Sequence, residues 1–248
     1  GEKHGGMRAM FQMMNPARIG VGVQGLGVAE VAYQQALAFA SQRRQSRSLE
    51  PNMVDHNASA DLILVHPDVR RMLMIMESTN IAMRQLIGLC SYYLDQKNDA
   101  FVGLLTPVIK SYVTERSMDN ISLAMQTMGG MGYVADGLCE QYYRDGRVTM
   151  IYEGTNGVQA LDLIGRKIAK DGGAALTALL QSLPVSDTMQ EYMDQANQYL
   201  LSHAQDPQAV AGIAADYLNL LALVIQSALM TKHAAMDADL LSFYQSYA

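Results

Sequence analysis

Apolar residues recur at three- and four-residue spacing through most of this 248-residue chain, and its six prolines are too few to interrupt that rhythm. Such spacing gathers apolar side chains on one face of a helix, whereas a strand needs strict alternation. The expected class is all-α: an antiparallel bundle of long helices with a further helical unit appended. Half of the residues are hydrophobic, enough at this length to bury a substantial core. With 18 methionines and no tryptophan, the helices are expected to pack through pliable side chains.

The charge balance removes some functions. A net charge of -6 offers no basic surface for nucleic acid. The longest purely apolar run, Leu220 to Ile225, is far too short to span a bilayer, and the amino terminus lacks the layout of a signal peptide. Cys90 and Cys139 lie far apart and suggest neither a disulfide framework nor a metal knuckle. A soluble protein of the cytoplasm is the expectation. The start at Gly1-Glu2-Lys3, without an initiator methionine, reads as a stretch cut from a longer parent.

Local punctuation places the helices. A first helix is expected from Pro16 to about Arg47, then a long loop from Ser48 to Val65, then a helix from Pro67 to about Gln96. Thr106-Pro107 reads as a cap-plus-proline start for a third helix that Gly129-Gly130 stops. A shorter helix is expected over Cys139 to Arg144 and another from Thr155 to Lys170. Beyond Gly173 the character changes, with helices expected at Ala174–Leu183, Asp187–His203 and Asp206 to about Tyr244. The expected division is 1–172 for the bundle and 173–248 for the added region.

Few motifs survive inspection. Gly20-Val21-Gly22-Val23-Gln24-Gly25 has the form of a dinucleotide fingerprint, but no strand precedes it. Its small residues fit a helix that approaches a neighbour or a ligand closely. The five histidines, His4, His56, His66, His203 and His233, form no metal-binding spacing, and no metal site is expected. No GxSxG element is present.

Glu153 stands out, as an acid in a mostly apolar stretch directly before a Gly-Thr helix start. Two readings of it are open. Burial would raise such a carboxyl toward the range of a general base. A glutamate beside a helix start can equally be a favourable dipole partner.

Several elements in order settle the context. They are Met14-Asn15-Pro16-Ala17-Arg18, Arg43, Gln126-Thr127-Met128-Gly129-Gly130-Met131-Gly132-Tyr133, Arg144-Asp145-Gly146-Arg147, Ile151-Tyr152-Glu153-Gly154-Thr155 and Leu163-Ile164-Gly165-Arg166. Over about Met7 to Lys170 the chain resembles the helical carboxy-terminal domain of the acyl-CoA dehydrogenase family. The loop 48–65, the phrase from Val65 to Leu73 and the helices after Gly173 are similar to its larger bacterial branch, which includes methylthiopropanoyl-CoA dehydrogenases.

The resemblance implies an FAD-dependent α,β-dehydrogenation of an acyl-CoA thioester. Glu153 would remove the α-proton while the β-hydrogen leaves as hydride to the flavin. Some relatives place the base just before the arginine of the opening element, but Ala17 stands there. The thioester carbonyl would be polarised by the Glu153 N–H and a flavin ribityl hydroxyl, with Tyr152 and Gly154 lining the acyl site. Asn15 and Arg18 would lie on the substrate's CoA side. Arg43, His66, Val69, Gln126, Met128, Gly129, Gly130 and Thr155 match positions that contact FAD, several across a subunit interface of a homodimer or homotetramer. Electrons would pass to an electron-transfer flavoprotein.

Departures qualify this expectation. Ser46-Arg47 replaces a common Phe-Gly, and Gly157 replaces a flavin-contacting glutamine. The amino-terminal helical and β domains of the family do not precede Met7. This stretch alone is therefore expected to bind FAD weakly or not at all and to turn over no substrate. The alternative is a non-catalytic helical module for oligomerisation or partner binding.

Overall fold

The structure is a computed structural model and describes residues 3–233. Helices account for the regular structure among those residues, and the sole pairing of extended segments is an isolated antiparallel bridge between Arg44 and Leu62. The long helices are α1 (Gly6–Ala40), α2 (Pro67–Asp95), α3 (Asp99–Val108) and α4 (Thr114–Met128). A widened π turn, Ile109–Val113, joins α3 to α4. There follow α5 (Gly130–Tyr133), α6 (Cys139–Thr149), α7 (Asn156–Asp162), α8 (Ala174–Gln181), α9 (Asp187–Ser202), α10 (Pro207–Gly212) and α11 (Ala214–His233). The all-α class is as the periodicity predicts.

The directions of the helices follow from their cross-contacts. Asn120 Nδ2 donates to Asn80 Oδ1 at 2.8 Å and to the Met76 carbonyl at 3.2 Å, while Thr127 meets Met72. Later positions on α4 thus face earlier ones on α2, so the two run antiparallel. The turn Gln96-Lys97-Asn98 reverses the chain between them, and Asn98 Oδ1 caps α3 by accepting from the Phe101 N–H at 3.2 Å. α1 runs alongside the α3–α4 rod. A Cβ added at Gly22 would come within 2.4 Å of Ile109, and one at Gly25 within 3.2 Å of Ser117, so the glycines there do permit close approach.

Three expected helix boundaries are corrected. α1 begins at Gly6 and ends at Ala40, so Pro16 lies inside it and Arg43 beyond it. A proline ten residues into a helix removes one backbone hydrogen bond and crowds the carbonyl four residues back, a cost that the packing of the rest of this 35-residue helix outweighs. The third helix does not start at Thr106-Pro107. Thr106 is no cap, because its hydroxyl donates back to the Val102 carbonyl at 2.7 Å, and Pro107 lies inside α3 just before the π turn. The last expected helix is broken at Ile213, and α10 starts under a cap in which Asp206 accepts from the Gln208 and Ala209 N–H groups. The expectation beyond residue 233 lies outside the described residues.

Two apolar clusters hold the elements together. One joins Ala29 to Ala40 of α1 with Leu73 and Met76 of α2, Ile121 and Met128 of α4, and Cys139. The other joins Leu86 and Cys90 of α2 and Leu105 to Val113 with Leu163, Leu179, Met193 and the α11 run Leu218 to Leu229. The helices after Gly173 therefore share a core with the bundle. The window Ala214–Thr231 of α11 is long and apolar enough to cross a membrane by length and composition, but 67% of it is buried inside this protein. It packs on α2, α7 and α9.

Candidate functional site

Between α6 and α7 the chain makes a tight turn that carries Glu153. The N–H groups of Ile151 and Tyr152 donate to the Val148 carbonyl at 2.9 and 3.1 Å, and the Asn156 N–H closes the loop onto the Met150 carbonyl at 3.3 Å. Glu153 takes φ of 55° and Gly154 φ of 90°. A left-handed backbone is unfavourable for a residue with a Cβ, by about 1–2 kcal/mol, so the surroundings must hold it.

They do so through the main-chain oxygen. Arg18 Nε donates to the Glu153 carbonyl at 3.3 Å, and Gln159 Nε2 reaches the carbonyls of Glu153 at 3.3 Å and Gly154 at 3.4 Å. Arg18 also lies 3.7 Å from Asp162, both side chains being close to buried. The Tyr152 hydroxyl donates to Gln24 Oε1 on α1. The Glu153 carboxylate accepts no hydrogen bond and forms no ion pair among the described residues, and the Glu153 N–H donates to none of them.

Beneath the loop sits Lys110, fully buried on the π turn, with Nζ 3.0 Å from Asn156 Oδ1. Burial, and then the Arg18 charge, bring its ammonium pKa down to about 8, while Glu115 and Glu153 act in the other direction.

A second feature is a cavity of about 650 Å³ at the other end of the bundle. Arg43, His66, Val69, Gln126, Met128, Gly129 and Gly130 all line it, with Phe39, Ser46 and Met131. Gly129 ends α4 with φ of 58°, and Cβ atoms built at Gly129 or Gly130 would meet nothing within 4 Å, so the backbone faces open space. The Arg43 guanidinium has no hydrogen bond or ion pair among the described residues. His66 Nε2 is 2.9 Å from the Gln45 carbonyl. A free guanidinium beside bare backbone suits a phosphate-bearing cofactor, so these residues fit FAD. Thr155 is exposed on the Glu153 loop and does not line this cavity.

The cavity's rim is tied down by Asp61. Its buried carboxylate accepts from the Ser48 and Asp55 N–H groups, each at 2.7 Å, and from Arg47 at 3.2 Å. These bonds, the backbone ones foremost, hold its pKa below the usual carboxylate range. Arg47, which departs from the family pattern, is thus part of the rim's scaffold.

Arg18, expected beside the substrate's CoA, has its guanidinium on the Glu153 carbonyl and near Asp162. Asn15, half-buried one turn earlier on α1, makes no hydrogen bond among the described residues. Lys110, Gln159 and Gln24 were not singled out in the sequence. No local pattern marks them: Lys110 sits in the mixed stretch Val108-Ile109-Lys110-Ser111-Tyr112-Val113.

Residues 4–169 match the acyl-CoA dehydrogenase, C-terminal domain family. This chain belongs to the acyl-CoA dehydrogenases. It is 36% identical over 228 residues to the 3-methylmercaptopropionyl-CoA dehydrogenase of Ruegeria pomeroyi, covering 88% of this chain and 38% of that protein. Among solved structures, Caenorhabditis elegans ACDH-11 in complex with C11-CoA has a TM-score of 0.78 at 21% identity, covering 100% of this chain and 44% of that one. The Bacillus anthracis acyl-CoA dehydrogenase complexed with FAD has a TM-score of 0.73 at 20% identity, covering 99% and 48%. Those two likenesses concern the fold alone. The acyl-CoA dehydrogenase chain described here spans less than half the length of each of these relatives.

Proposed function

We propose that this chain is the base-carrying, carboxy-terminal part of an FAD-dependent oxidoreductase that converts a saturated acyl-CoA thioester to its α,β-unsaturated product. One observation carries the reading. Glu153 is held in a left-handed turn by its carbonyl, which leaves its carboxylate without a partner and its N–H without an acceptor among the described residues.

In this reading the Glu153 carboxylate takes the α-proton as the electron pair of that C–H bond becomes the new double bond and the β-hydrogen departs as hydride. FAD, when bound, accepts that hydride. The Glu153 N–H donates to the thioester oxygen, where charge gathers as the proton leaves. Tyr152 and Gly154 flank the acyl chain. Val148, Ile151, Val158 and Leu161 are each 50–51% exposed. A covering domain would place that apolar surface against substrate and exclude water from the base.

In the cavity at the other end of the bundle, Arg43 would hold the FAD pyrophosphate. Because it is lined by neither Glu153 nor Thr155, it fits the cofactor of a second copy, which favours a homodimer or homotetramer. Electrons leave to an electron-transfer flavoprotein.

The test is Glu153→Gln in the full-length, FAD-loaded enzyme, followed by bleaching of the flavin by acyl-CoA without oxygen. Loss of a general base lowers the rate by on the order of 100-fold or more. A rate near that of the unaltered enzyme would sink the assignment. The 248-residue chain purified alone is expected to be colourless.

A further inference from the structure

No lysine or arginine among the described residues is buried except Lys110, whose exposure is 0%. A buried ammonium is costly unless it is paired, and Lys110 has no ion pair among the described residues. Its partner is an uncharged amide oxygen, Asn156 Oδ1. Neighbours Val108, Ile109 and Val113 are apolar and wholly buried, so methionine or leucine would serve packing better. The cation therefore has a use other than filling space.

That use is legible in what surrounds Asn156. Its Nδ2 donates to the Ser111 carbonyl and to Thr114 Oγ1, each at 3.2 Å, while its Oδ1 takes the Lys110 ammonium. All three partners come from the π turn or the first residue after it, and such widened turns often mark working sites. Asn156 is also the first residue of α7, three positions after Glu153, and its N–H closes the loop onto Met150. The carbonyl side of Glu153 is fixed by Arg18 and Gln159, and the exit of the loop by Asn156.

We propose that Lys110 is a positioning residue for the dehydrogenation, clamping Asn156 so that the loop presents the Glu153 carboxylate and N–H together. The proposal rests on Glu153 being the base. The ammonium also faces Arg18 from α1, Glu115 from α4 and Glu153 itself, with Asp162 of α7 balancing Arg18.

The experiment compares Lys110→Met, Asn156→Ala and the double variant in the full-length, FAD-loaded enzyme. The expected result for Lys110→Met is a fall in kcat on the order of 10- to 100-fold, as for a displaced catalytic group, with KM within about twofold and flavin content unchanged. A fall in kcat with KM and flavin content held is a split that a merely structural role would not produce. The double variant is no slower than the slower single one, because both act through one contact. An unchanged kcat, or losses that multiply, overturns the proposal. If Lys110→Met does not fold or loses FAD, Asn156→Ala decides: a lower kcat at constant KM supports the clamp, and an unchanged kcat overturns it. Glu153→Gln run in parallel separates the two ideas. If it loses activity while the Lys110 and Asn156 variants keep theirs, only the clamp falls; if it keeps activity, the base assignment falls and the clamp with it.

Discussion

Arg18 Nε donates to the main-chain oxygen of Glu153 across 3.3 Å, joining residues 135 positions apart. The same side chain lies 3.7 Å from Asp162, so one guanidinium ties α1 to both the turn and α7. Arg18→Ala leaves the Glu153 carbonyl short of a donor and Asp162 with only the exposed Arg166 nearby. The expected loss is about 2 kcal/mol of stability, read from the urea midpoint, and a larger fractional loss in kcat than in KM. Arg18→Lys recovers little, because an ammonium lacks the fork that serves both acceptors.

Glu153 sits at φ of 55°. Glu153→Gly removes the left-handed penalty and should stabilise the chain by about 1 kcal/mol, in the same sample that has lost its base. Thermal unfolding and flavin bleaching, measured together, check both halves. Gly154→Ala goes the other way: at φ of 90°, its Cβ would also lie 2.7 Å from Gln159 Nε2. A loss of roughly 1–2 kcal/mol is expected.

Lys110 makes stability depend on pH in a definite direction. Its folded pKa of about 8 is below the unfolded lysine value of about 10.4. Between those values the unfolded chain binds the extra proton, so the stability of the native protein rises with pH there; below about 8 both states carry the proton and the full cost of burial is present. Relative to Lys110→Met, the unaltered chain should gain on the order of 1–3 kcal/mol between pH 7.5 and 10.5. Urea midpoints of the two proteins across that interval test it, and a constant difference would be the contrary result.

Asp61 behaves in the opposite sense. Its depressed pKa contributes stability that is present above the ordinary carboxylate value and is lost as pH falls through the folded value. Asp61→Asn should loosen the segment 46–61, seen as faster amide exchange at Ser48 and Asp55, and weaken FAD retention in the full-length enzyme. Protonating Asp61 by acidification should lower the protection factors of the same two amides in the unaltered chain, once rates are corrected for the intrinsic slowing of exchange in acid.

Both thiols are buried, and burial pushes Cys90 up to about 11. Cys139 is raised by the same cause. Neither should react with an aromatic disulfide reagent at pH 8 until denaturant is added. Prompt labelling of either one in the native protein would contradict the burial.

Much of the fold is legible in the sequence because helix periodicity and glycine stops are local signals. Pro67 starts α2 and Gly129 ends α4 where their chemistry says they should. Pro16 and Thr106-Pro107 mislead, since the same residues that open helices can sit inside one when tertiary packing sustains it. In the candidate site, seven residues implied for FAD converge on one cavity although they lie between positions 43 and 130. Lys110 stays invisible in the sequence. Its meaning comes from Asn156, 46 residues away, and from a π turn that no local pattern announces.

The sharing of one apolar cluster between α2 and α11 has a consequence for synthesis. The cluster around Ala36, Met76 and Cys139 is complete once synthesis has passed about residue 150, whereas the one around Leu86 and Leu105 waits for Leu218 to Leu229. At ribosomal speeds those further 80 or so residues take roughly 4 to 16 s. For that interval Leu86, Leu105 and Ile109 lack their final covering, and a chaperone that recognises apolar helices would find them there.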